Sequence, residues 1–82
     1  MSYRVRHVVE RFPDLAHAIK QHSSDNRFFR GLCEDYGEAV EALRQCETSN
    51  SPTASERADA CRALILDLEN EVLLELHHWI DG

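Results

Sequence analysis

Residues 26–47, NRFFRGLCEDYGEAVEALRQCE, decide how this chain folds. Phe29, Leu32, Tyr36, Ala39, Leu43 and Cys46 recur at steps of three and four, the spacing that lines up one face of an α-helix, and Cys33 and Val40 widen that stripe. Glu34, Asp35, Glu38 and Glu41 fall on the opposite, wetted face. Gly37 stands in mid-segment, where glycine costs about 1 kcal/mol relative to alanine. A residue without a Cβ at that point suits the close approach of another helix.

Downstream, Thr48-Ser49-Asn50-Ser51-Pro52 reads as a loop, placed at about 48–53. Thr53 and Glu56 have the spacing of a capping box, in which the threonine hydroxyl accepts from the Glu56 amide and the carboxylate reaches back. A second long helix is expected from Ala54 to about Trp79, since Ala58, Cys61, Ile65, Leu68, Val72, Leu76 and Trp79 keep the helical period. Two long helices joined by a short loop lie antiparallel. With Glu47 and Ala54 level at the loop, facing residues have numbers summing to about 101, which sets Tyr36 against Ile65 and Phe29 against Val72. A rival register, summing to about 108, pairs Phe29 with Trp79 and Cys46 with Cys61 but needs a ragged loop end.

Upstream, Ser23-Ser24-Asp25-Asn26 is a run of capping residues that restarts the helix. A short helix is expected from Pro13 to about Gln21, with Leu15, Ala18, Ile19 and His22 on one side. A weaker one, rich in β-branched residues, runs from Tyr3 to Arg11. Phe12-Pro13-Asp14 separates them, because proline excludes its predecessor from the α region and suits a first helical turn. The expected architecture is one all-α domain over residues 1–82. A basic head (1–24) packs one or two short helices at the open end of a long antiparallel helical hairpin (25–82), with Phe12, Leu15 and Ile19 covering Leu76 and Trp79.

One feature exceeds what such a hairpin needs. Leu66, Leu73 and Ile80 recur every seven residues, with Leu74 nearby, about 100° around α-helical space from the main seam. Two helices cannot bury two stripes, so either the N-terminal helices or another chain must cover the second. Leu66, Leu73, Leu74 and Ile80 are therefore the candidate protein interface, aided by the basic Arg4 and Arg6.

Composition narrows the function. A chain of 82 residues with 43% apolar side chains folds, though a core of that size is marginal. The formal charge of −6 is uneven: residues 1–30 hold six basic against three acidic side chains, and the remainder holds three against twelve. An acidic chain lacks the electrostatic footprint of a nucleic-acid binder. The basic head can dock on the acidic row of residues 34–41, its own or a neighbour's. No secretory-type apolar run and no stretch of about 20 apolar residues is seen, which points to a cytoplasmic protein that neither enters a membrane nor loses its reduced thiols.

His77 and His78 are adjacent, and His17 and His22 are five apart, so on helices both pairs diverge instead of chelating. Cys33, Cys46 and Cys61 form no CxxC pair and read as small apolar core residues. No metal, cofactor or small-molecule substrate is expected, and two packed helices offer too little concavity for catalysis. The leading expectation is a non-enzymatic interaction module that self-associates or binds a partner helix. The alternative is a small metal- or redox-linked helical protein that uses its histidines and cysteines.

Phe12-Pro13-Asp14, Leu15, Ile19-Lys20, Asp25, Phe29, Leu32, Tyr36 and Val40, followed by Leu66-Asp67-Leu68-Glu69-Asn70-Glu71-Val72, resemble the YdcH-like family of small, functionally uncharacterised bacterial proteins. The likeness spans about Val9 to Leu76. It departs at Glu69, where the family tends to carry Lys, and at Asn70, where it carries Asp, and the second helix is more acidic here. The resemblance implies a bacterial helical hairpin and brings no catalytic residues.

Overall fold

The computed structural model describes residues 4–81, which form α1 (Val5–Arg11), a 3-10 turn (Pro13–Leu15), α2 (Ala16–Asp25), α3 (Arg27–Thr48) and α4 (Ala54–Asp81). No strand occurs among the described residues. Tyr3, where the sequence starts the first helix, lies outside them.

Local chemistry explains the breaks. Asn26 is extended (φ −133°, ψ 114°), and its side chain accepts the Phe29 amide at 3.0 Å, the N-cap bond that starts α3. The sequence assigns the whole run 23–26 to capping, whereas α2 continues through it to Asp25. Ser23 is at ease inside a helix because its hydroxyl donates to the Lys20 carbonyl at 3.1 Å. Pro13 opens the 3-10 turn, a place where its missing N–H has no intrahelical partner to lose. The Thr53–Glu56 capping box does not form: among the described residues no hydrogen bond joins them. The Thr53 hydroxyl lies instead 3.2 Å from that of Ser51, the nearer polar group in the tight connection.

The core draws on every α-helix. Val5, Val8, Ile19, Phe29, Cys33 and Val72 are fully buried, joined by Leu32, Tyr36, Ala39, Leu68 and Leu76. Each full burial of such a side chain contributes about 1.5–3 kcal/mol, so α1 and α2 are part of the core through Val5, Val8 and Ile19. Val9, Phe12, Leu15, Ala18, Val40 and Ile65 close its margins.

The most extensive packing joins α3 to α4. Glu47 pairs with Arg62 (3.6 Å), Tyr36 donates to Glu69 (2.8 Å), Ala42 lines a depression with Cys61, and Phe28 lines another with Glu71.

The head is divided. The His22 ring of α2 lies between Phe29, near the start of α3, and Trp79, near the end of α4, with centroids 4.3 and 4.9 Å away. α1 instead lies against the middle of α3, where the Arg4 backbone covers Gly37 so closely that an added Cβ would sit 2.6 Å from the Arg4 carbonyl oxygen. The sequence reading packs one or two short helices at the open end of the long pair; α2 lies by Phe29 and Trp79, while α1 lies by Gly37, which lets a backbone in where any larger residue would hold it off.

Candidate functional site

The outer face of α4 carries the stripe singled out by the sequence. Leu66, Leu74 and Ile80 are 62%, 60% and 56% exposed, and Leu73 is half-buried. The seven-residue spacing puts Leu66, Leu73 and Ile80 in one line. Leu74 is turned about 100° from Leu73 and lies with His77, His78 and Asp81 in a shallow depression on α4 alone. The structure thus aligns three of the four apolar candidates and sets the fourth on the next face. Leu66, Leu74 and Ile80 stay exposed with both N-terminal helices seated, since the head sends Val5, Val8 and Ile19 into the core cluster that also holds Leu68, Val72 and Leu76.

The two basic candidates do not extend that line. Arg4 pairs with Glu41 of α3 at 3.2 Å, and Arg6 is exposed on α1. The head does dock on the acidic side of the chain's own long helices: Arg4 holds Glu41, and Arg11 reaches Glu69 at 2.9 Å. Asp35 and Glu38 lie on another side of α3 and line a groove between α3 and α4, together with Ala39, Ala42, Cys61 and Leu64. Leu64 (50% exposed) lines this groove, and Phe28 (67% exposed) lines an adjoining depression that shares Asp35 and Leu68 with it. Sequence reading leaves it unnoticed because both residues fall outside the two apolar seams. The small side chains opposite Leu64 were the available signal.

Burial favours the neutral forms of Cys33, Tyr36 and His22. Burial, aided by Glu34, pushes the Cys33 thiol up to about 12, so it stays protonated and unreactive at neutral pH. Burial and the hydrogen bond to Glu69 raise the Tyr36 hydroxyl well above its ordinary value. Cys46 is buried, Cys61 half-buried, and all three cysteines are free. Among the described residues no group of three or more His, Cys, Asp or Glu side chains is placed to hold a metal ion, and no helix is long and apolar enough to cross a membrane.

His22 is 4% exposed, and its Nδ1 has no hydrogen-bond partner. Burial lowers its pKa, and Glu75 and Asp25 pull more weakly the other way. The unfolded chain therefore takes up this proton at a higher pH than the folded one. Stability from His22 is complete above the unfolded value of about 6.5 and falls as the pH drops through it. The urea midpoint is expected to be lower at pH 5.5 than at pH 7.5 in the native protein and to change much less in His22→Phe, which keeps the stacked ring without a titrating nitrogen. An equal decline in both proteins would assign the acid sensitivity to other groups.

No family model matches the chain, and no curated protein or solved structure is significantly similar to it.

Proposed function

We propose that this chain is a non-enzymatic protein-interaction module in which α3 and α4 form an antiparallel hairpin, braced by α1 and α2, that self-associates through Leu66, Leu73 and Ile80. The observation that carries this reading is the exposure of Leu66 and Ile80 with both N-terminal helices already seated. Apolar side chains scattered singly on a surface need no explanation, but an aligned row on one long helix has the form of a helix-packing seam. The paired order of contacts along α3 and α4 supports the hairpin. Kinship to the YdcH-like proteins and a cytoplasmic setting belong to the same proposal, the latter favoured by three free cysteines.

The stripe suits a two-fold pair. Centred on Leu73, an antiparallel second copy sets Leu66 of one chain against Ile80 of the other over about 21 Å of helix. Close to the line stand Asn70 and His77, with Arg62 paired to Asp59 and Glu47 at one end. An interface this small gives weak association, in the range of about 10 μM to 1 mM after the cost of ordering two bodies. Light scattering is expected to show the mass rising from monomer toward dimer across that range. The double variant Leu66→Glu, Ile80→Glu is expected to stay monomeric with an unchanged urea midpoint, because both positions are exposed. A native protein that remains a monomer throughout would reject self-association and leave only a partner helix for this face.

A further inference from the structure

A second surface, independent of the α4 stripe, has different chemistry. Two depressions between α3 and α4 adjoin at Asp35 and Leu68, which line both, and together they make one groove. On α3 it extends from Phe28 to Ala42, about 21 Å or four helical turns. Its floor is open at Gly31, where an added Cβ would meet nothing within 4 Å. Its walls are apolar, with Phe28 and Leu64 projecting from opposite helices. Its charged lining is Asp35, Glu38 and Glu71 against the single cation Arg27 at one end.

We infer that this groove is a docking site for a basic amphipathic helix of another protein, whose apolar face fills the space between Phe28 and Leu64 while its lysines or arginines meet Asp35, Glu38 and Glu71. Charge selects this occupant. A second copy placed groove to groove would set these carboxylates against their own kind, a like-charge contact that opposes pairing. The chain's own basic α1 is already seated on the Gly37 side of α3, which the helical twist turns away from Ala39. A helix of about 14 residues spans the groove, and apolar anchors at helical spacing with cationic flanks are the usual form of such a ligand.

The test uses the full chain and two synthetic 18-residue helical peptides that share a leucine stripe, one flanked by lysines and the other by glutamates. Titration of the lysine peptide into 15N-labelled protein at low salt is expected to shift the amides around Gly31, Asp35, Ala39 and Leu64, with binding that weakens as salt is added. The glutamate peptide is expected to bind at least tenfold more weakly. Asp35→Lys with Glu38→Lys is expected to reduce lysine-peptide affinity at least tenfold. Glu10→Lys with Asp14→Lys, which makes the same change in net charge away from the groove, is expected to leave it within about twofold. Phe28→Ala, at an exposed position, is expected to weaken binding without moving the urea midpoint. No shifts at about 1 mM peptide, shifts centred on Leu66, Leu73 and Ile80, or equal losses in the two charge variants would each overturn the inference.

Discussion

Gly37→Ala is expected to destabilise the protein by about 2 kcal/mol, although alanine is the better helix former by about 1 kcal/mol. The new methyl group would lie 2.6 Å from the Arg4 carbonyl oxygen, 2.7 Å from its Cβ and 2.9 Å from its Cα. Two of those atoms are backbone, so no side-chain rotation relieves the contact. α1 must move off α3, and Val5 and Val8, both fully buried, lose cover worth about 1.5–3 kcal/mol each when burial is complete. Gly31→Ala supplies the opposite sign. Its Cβ meets nothing within 4 Å, so only the propensity gain remains, and a rise of about 0.5–1 kcal/mol is expected. Urea unfolding of the two variants side by side checks both signs. If Gly37→Ala were as stabilising as Gly31→Ala, α1 would not be seated on α3.

Glu69→Ala is expected to cost about 2–3 kcal/mol, through one oxygen atom. Glu69 Oε2 accepts the Tyr36 hydroxyl at 2.8 Å and the Arg11 Nε at 2.9 Å, and its side chain is only 12% exposed. A hydrogen bond to a charged group contributes about 1.5–3 kcal/mol. The arginine, 55% exposed, adds less than about 1 kcal/mol because solvent screens it. Truncation also leaves the hydroxyl of a tyrosine that is 4% exposed without its acceptor. Glu69→Gln keeps an acceptor oxygen and should lose about 1 kcal/mol. In a Tyr36→Phe background, Glu69→Ala should cost at least about 1 kcal/mol less than in the native protein, which a double-mutant cycle in urea measures. Equal costs in the two backgrounds would show that the hydroxyl and the carboxylate act independently.

The helical class was legible because period alone decides it. Phe29, Leu32, Tyr36 and Ala39 on α3, and Leu68, Val72 and Leu76 on α4, are spaced as a helix needs and are all buried. Helix ends were less legible where two local bonds compete. Ser23 can cap a helix or donate back within one, and only the bond to Lys20 decides between them. The path of α1 was hidden because it depends on backbone meeting backbone at Gly37, which leaves no pattern of apolar residues. At the surface, the line of Leu66, Leu73 and Ile80 could be found by spacing. The groove was harder to see, since it is made by two helices jointly and its projecting residues, Phe28 and Leu64, belong to neither helix's seam, which leaves only small side chains such as Ala39 and Ala42 as a signal.

The sandwich of Phe29, His22 and Trp79 makes one chromophore the witness to the whole assembly. The chain has a single tryptophan, and the ring against it belongs to α2 while the next ring in the stack belongs to α3. Light emitted by this indole therefore depends on three helices at once. Fraying at the end of α4 and detachment of the head cannot be told apart by its colour alone, but neither can pass unseen.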